Sequence, residues 1–280
     1  MNTQSQMKLL PIVLLTMIQG VGVIAIARSA SAEIPARSQL VNSSSHSPST
    51  MPQVQLADNS GSVDAKALVR AARNSVPELI NLLNHPEATV RSEAAYALER
   101  MGKSAKSAIP SLILLLKDSN AIVRANSAYA LGSMGESAKS AIPSLIPLLK
   151  DSDARVRLYA AESLRSMGES AKSAIPSLIP LLKDSDVSVR SYAAESLGRM
   201  GKSAKSAIPS LIPLLKDSNA IVRANSAYAL GSMGESAKSA IPSLIPLLKD
   251  SDWSVQKAAL LILGMNNLIC KSESQILLRL

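Results

Sequence analysis

Apolar and polar positions repeat every 33 residues through most of this chain. The clearest stretch, Ser140–Lys172, reads SAIPSLIPLLKDSDARVRLYAAESLRSMGESAK. Its marker prolines Pro77, Pro110, Pro143, Pro176, Pro209 and Pro242 stand in register and define six units. Residues 107–139 and 206–238 differ only at Leu114 against Pro213. A fixed period of this length marks an array in which each unit buries its apolar face by stacking on its neighbours.

Two apolar patterns within a unit predict two helices. Helix A runs from about Pro143 to Lys150, with Leu145, Ile146, Leu148 and Leu149 on its apolar face. Proline suits the first turn, where its missing N–H costs nothing. Lys150 suits the negative end of the helix dipole. Pro147 sits one turn in and predicts a bend; Leu114 and Asn81 hold that slot in repeats 2 and 1. Helix B runs from about Ala154 to Met167. Asn120, Asp153, Asp186, Asn219 and Asp252 are its N-caps, with Glu87 the weak exception. Gly102, Gly135, Gly168, Gly201 and Gly234 are its stops. Val156, Ala160, Leu164 and Met167 share its core face at helical spacing.

The period is shared by ankyrin repeats and nearly by tetratricopeptide repeats. Neither a Thr-Pro-Leu-His turn nor a Trp-Leu-Gly-Tyr pattern appears. What appears is Asp151-Ser-Asp-Ala-Arg-Val-Arg157, then Ala160-Ala161, Leu164 and Gly168. Over residues 74–265 this resembles the HEAT-like repeats of the bilin-lyase type. The resemblance implies an all-α fold: a right-handed α-solenoid, an armadillo/HEAT-like superhelix of six 33-residue helix pairs with terminal caps. Helix B would line its concave side.

The resemblance also implies a ladder of ion pairs between neighbouring units. Its acids would be Asp118, Asp151, Asp184, Asp217 and Asp250, and its bases Arg91, Arg124, Arg157, Arg190 and Arg223. A planar guanidinium near a helix start can serve a carboxylate and loop carbonyls together, so the ladder reads as structural. His85 takes the acid slot in repeat 1, and Gln256 the base slot in repeat 6.

The flanks have a different composition. Residues 1–32 read as an export signal: Lys8, an uncharged apolar run Leu9–Ala27, and small residues Ala30-Ser31-Ala32 before Glu33. The alternative is an uncleaved anchor, since Leu9–Ala27 is just long enough to span a bilayer. Residues 33–61 are a Ser/Pro-rich linker unable to bury a core. Residues 62–75 read as a capping helix, with Ala67, Leu68 and Ala71 over the open end of repeat 1; residues 266–280 cap the other end. The net charge of +9 loses Lys8 and Arg28 if the signal is removed. The single cysteine, Cys270, excludes a disulfide framework within the chain and reads as a small buried residue of the cap.

No group in the array reads as catalytic. His85 is its only histidine, so no histidine-rich metal site is expected, and the glycines are single helix stops rather than a phosphate loop. Repeats 1 and 4 alone share Arg-Met-Gly-Lys-Ser-Ala-Lys, at 100–106 and 199–205. With the near identity of repeats 2 and 5, this points to a copied three-repeat block. Such copying lengthens a binding surface and does little for one active site.

The strongest functional signal is the stripe of helix B opposite its core, Arg155, Tyr159, Glu162 and Ser166 in repeat 3. Tyr96, Tyr129, Tyr159, Tyr192 and Tyr228, every tyrosine in the chain, lie on this stripe, one per repeat. With Asn126, Glu162, Glu195 and Asn225 beside them they suit a protein or peptide partner, since tyrosine joins apolar area to a polar tip. The same rings could instead cover the joints between helices. Repeat 6 breaks the pattern with Ser254, Ala258, Leu261 and Met265. Rows of lysine (Lys106, Lys139 and their equivalents; Lys117, Lys150 and theirs) make basic edges, read here as solvation and dipole compensation.

The expectation is therefore an exported, periplasmic or secreted, monomeric scaffold without cofactor or metal. It would bind a protein or peptide, not nucleic acid. Membrane contact is expected only through an uncleaved Leu9–Ala27. The alternatives are a bilin lyase-like or bilin-chaperone role, implied by the resemblance alone, and an inert envelope spacer.

Overall fold

The computed structural model describes residues 64–265; the expected signal, the linker, Cys270 and the C-terminal cap lie outside them. The described chain begins with α1 (Ala65–Ala72). Six pairs follow: α2 (Val76–Leu82) with α3 (Ala88–Met101), and α4 (Ile109–Leu115) with α5 (Ala121–Ser133). Next come α6 (Ile142–Leu145) with α7 (Ala154–Ser166), and α8 (Ile175–Leu178) with α9 (Val187–Arg199). The last are α10 (Ile208–Leu211) with α11 (Ala220–Ser232), and α12 (Ile241–Leu244) with α13 (Trp253–Met265). Each long helix packs on the next, so the pairs stack into an α-solenoid.

Local chemistry sets these boundaries. Asp153 accepts from the Arg155 and Val156 N–H groups, and Asn120, Asp186, Asn219 and Asp252 do the same for their helices. Glu87 makes no such side-chain bond. The five closing glycines have φ between 53° and 60°, a region that Cβ-bearing residues disfavour. From each, a run of tight 3₁₀ turns such as Gly135–Ala141 leads to the next short helix.

Helix A differs from the bent α-helix expected at Pro147. It is one α turn, Ile142–Leu145, and then a 3₁₀ segment, Ile146–Lys150, and the same break occurs at Pro180, Pro213 and Pro246. Proline has no N–H for the carbonyl four residues back, and its ring crowds that carbonyl, so the turn tightens instead of bending. Where Asn81 or Leu114 stands, the α-helix continues unbroken. Leu114 is 72% exposed, which explains why the slot accepts any of the three residues.

The core lies between the two helix layers. Leu112, Leu145, Leu178 and Leu211 from the short helices meet Val156, Ala160 and Leu164 and their equivalents from the long ones, all fully buried. α1 covers the first layer with Val69 and Ala72; Ala67 and Leu68 are half-buried, and Ala71 points to solvent, unlike the expected face. Long helices approach closely at glycine. A Cβ added at Gly132 would lie 2.7 Å from the Ser163 Oγ, and one at Gly231 would lie 2.6 Å from the Ile262 Cγ1. Ser163, fully buried, sits 2.6 Å from both the Ala128 and the Tyr159 carbonyls and gives its proton to either, tying α7 to α5.

Candidate functional site

Along one edge, five arginines pair with five aspartates of the following unit. Arg157 Nε donates to Asp184 Oδ2 at 2.7 Å, and its Nη2 to Asp184 Oδ1 at 2.9 Å. Its Nη1 turns back to the carbonyls of Asp151 and Ser152, at 2.9 and 3.1 Å. Asp184 Oδ1 also accepts the Asp186 N–H. Arg91–Asp118, Arg124–Asp151, Arg190–Asp217 and Arg223–Asp250 repeat the arrangement. Burial pushes the Asp118, Asp151, Asp184 and Asp217 carboxyls up, but hydrogen bonds and guanidinium charge together hold them below the usual carboxylate range. For Asp250 the Arg223 hydrogen bond is the largest influence, and it too is lowered. At the ends, the His85 carbonyl accepts from Arg91, and Gln256 Nε2 donates to the Asp250 carbonyl.

The stripe expected to meet a partner lies on the long helices and is only partly open. Tyr96 and Tyr228 are 45% and 43% exposed, while Tyr129, Tyr159 and Tyr192 are half-buried. The rings of Tyr129 and Tyr159 stack across the α5–α7 joint, centroids 4.8 Å apart. Burial pushes the Tyr129 and Tyr192 hydroxyls above their ordinary pKa. Asn126 Nδ2 donates to Ser92 Oγ at 2.9 Å, and Asn225 Nδ2 to Ser191 Oγ at 2.9 Å, so each amide is fixed by the preceding long helix.

Arg165 links the middle of the stripe. It donates to Glu195 at 3.0 Å, lies 3.8 Å from Glu162, and stacks 5.7 Å from the Tyr192 ring centre. Burial raises the Glu162 carboxyl above its ordinary pKa; Arg165 opposes this, and Glu195 and Glu99 add to it. Arg165 lies off the tyrosine stripe, in a slot that holds glycine at Gly132, Gly198 and Gly231. That break in the repeat is the signal that marks it. Two grooves open beside this cluster. One, of about 360 Å³, is lined by Glu195, Gly198, Arg199, Asn225, Tyr228 and Ser232. The other, of about 600 Å³, lies over Gly132, Ser133, Arg165, Ser166 and Arg199.

Among the described residues no cluster of histidine, cysteine and carboxylates could hold a metal ion. No helix there is long and apolar enough to cross a membrane. The arrangement offers rings, fixed amides and charges for recognition.

The family described as HEAT repeats matches residues 62–132, 109–189, 142–231, 175–264 and 208–279. No curated protein matches the chain in sequence. Among solved structures, an engineered protein is 25% identical, with 68% of this chain and 96% of that one covered and a TM-score of 0.57. The complex of CpcE and CpcF of phycocyanin lyase from Nostoc sp. PCC7120 is similar at 26% identity, covering 81% and 85%, with a TM-score of 0.53. A designed armadillo repeat protein in complex with the peptide (KR)4 is 19% identical, covering 69% and 100%, with a TM-score of 0.60. That last likeness is one of fold.

Proposed function

Because the chain belongs to the HEAT-repeat family, we propose that it is a non-catalytic scaffold whose long-helix face binds an extended segment of another protein. The observation that carries this is the row Tyr96, Tyr129, Tyr159, Tyr192 and Tyr228, one ring on each of five successive long helices. Helices packed about 8–10 Å apart present a ring for every two to three residues of an extended strand lying across them. Tyr159 and Tyr192 fix the middle of the surface, while Tyr96 and Tyr228 offer open faces beside Asn126, Asn225 and the Glu162–Arg165–Glu195 cluster. The grooves are too small for a folded domain and fit side chains.

A peptide-display library panned against the full chain tests this. Selected peptides should bind the parent and lose binding to a Tyr96→Ala/Tyr228→Ala variant, whose two rings are the most exposed and least needed for folding. Peptides bound equally by both would sink the assignment of the face.

A second reading, a bilin lyase-like or bilin-binding role, is favoured by the 26% identity to the phycocyanin lyase complex. An absorbance shift of a free bilin on mixing with the protein would support it. The apolar stretch Leu9–Ala27 before Ala30-Ser31-Ala32 supports an exported scaffold. An intact mass beginning at Glu33 in the periplasm or medium is the expected result, and a full-length membrane species would make the stretch an anchor.

A further inference from the structure

Most arginines of the repeats hold a carboxylate. Within residues 76–265 the five ladder arginines, Arg155 and Arg165 each hold one. Arg100 and Arg199 do not: among the described residues neither has a carboxylate within ion-pair distance, and both are exposed. They are the same position, one in each three-repeat block, 99 residues apart. Both lie in the last turn of a long helix, where a cation favours the dipole. That need is not general, because α5 and α11 end without one.

The neighbourhood is copied with them. Arg199 lines its groove with Asn225, Tyr228 and Ser232 of α11; 99 residues earlier stand Asn126, Tyr129 and Ser133 of α5. The bonds that set the two copies agree. The amides reach Ser92 and Ser191 at the same 2.9 Å, and the Ser133 and Ser232 hydroxyls bond the carbonyls of Ala130 and Ala229. The copies differ in two ways. Gly198 leaves the floor open where Glu99 stands in the first copy, and Glu195, already held by Arg165, replaces Tyr96. Arg100 also feels the charge of Glu99, whereas Arg199 is free of such a neighbour in sequence.

We propose that Arg199 and Arg100 are two like anchor points for carboxylates, taking two Asp or Glu side chains of one extended partner segment. This rests on the scaffold reading above and names the chemistry of its partner. A guanidinium fork with a tyrosine edge beside it matches a carboxylate, and the chain's net charge of +9 favours an acidic partner. Three helix spacings of about 8–10 Å separate the anchors by about 24–30 Å, which an extended strand covers in about seven to nine residues. Arg199 is the stronger anchor, because Gly198 leaves its groove open and Glu195, the carboxylate that shares the groove, is held by Arg165.

The test uses the full chain and fluorescein-labelled peptides carrying two glutamates separated by a variable run of Gly, Ser and Tyr. Fluorescence anisotropy should show the tightest binding at a separation of about seven to nine residues. Glutamine at both positions should abolish it. Arg199→Gln should weaken it about ten- to a hundredfold, the range for hydrogen bonds to a charged group, and Arg100→Gln by less. Phenylglyoxal mapped by mass spectrometry should label Arg100, Arg199 and the exposed Arg155 before the ladder arginines, and the best peptide should protect Arg100 and Arg199. Binding indifferent to spacing, to the glutamine exchange or to Arg199→Gln overturns the proposal. A phosphoserine peptide that binds through Arg199 when the glutamate peptide does not would overturn the carboxylate assignment. Display-selected peptides that need Tyr96 and Tyr228 but neither arginine would leave the scaffold reading standing and remove this one. Failure of display to yield any binder to the long-helix face would remove both.

Discussion

Replacing Arg157 by alanine should cut the array at its centre. Four hydrogen bonds leave with the guanidinium: two to Asp184 and one each to the carbonyls of Asp151 and Ser152. Asp184 keeps the Asp186 N–H but remains a carboxylate 8% exposed beside a lost partner that was itself 15% exposed. Breaking a buried pair from one side costs about 3–5 kcal/mol. The residual exposure and the remaining N–H place this rung at the low end, about 3 kcal/mol. With a urea slope of about 3 kcal/mol per M, the midpoint by far-UV circular dichroism falls by about 1 M. Because stacked repeats couple only to their neighbours, the loss should also broaden the transition or divide it between repeats 1–3 and 4–6. Removing both charges with Arg157→Met/Asp184→Leu should recover most of the loss, since an apolar pair leaves no orphaned charge. A single, equally steep transition shifted by less than a third of the expected amount would refute the reasoning.

Acid should attack the same edge. The five ladder aspartates have folded pKa values below their unfolded ones, so their stabilisation is complete above the unfolded aspartate pKa of about 3.9 and is lost as pH falls through the lowered folded values. Helix content followed during acid titration should therefore hold through mild acid and collapse below that point, more gradually in an Asp184→Asn variant. Gly132→Ala should destabilise by about 1–3 kcal/mol, because its Cβ meets Ser163 Oγ at 2.7 Å and the α5–α7 joint must open. Gly132→Ala/Ser163→Gly should lose clearly less than the two single changes summed, because the second relieves the clash of the first; strictly additive losses would place the strain elsewhere.

What can be read from the sequence is what a few consecutive residues decide. Asp153 as a cap, Gly168 as a stop and the 33-residue period need no tertiary information. The 3₁₀ segments are nearly as local, yet bending and tightening are both available to a helix with proline one turn in, and the backbone at Ile146–Lys150 selects the second. The ladder is harder. Asp151 lies six residues before Arg157 and Asp184 27 after it, and composition does not choose between them. Stacking chooses: Arg157 reaches the Asp151 carbonyl with Nη1 and keeps its fork for Asp184. The break in the repeat marks Arg165 in the sequence but not its partner, since Glu195 is 30 residues away and no other repeat has the pair. The half-burial of Tyr129, Tyr159 and Tyr192 likewise depends on how closely the long helices approach, which the glycines at 132, 198 and 231 control.

The rungs all point one way: each arginine reaches forward to the next unit's aspartate, never back. The solenoid therefore has a donor end and an acceptor end, like a filament subunit with a plus and a minus face. At the two ends the pattern lapses: Gln256 stands in the arginine slot and His85 in the aspartate slot. Gln256 turns its amide inward to the Asp250 carbonyl, and His85 Nδ1 accepts from the Glu87 N–H, so both are occupied within their own unit. Two side chains thus close the ladder from within: every ladder arginine and aspartate finds its partner among the six repeats.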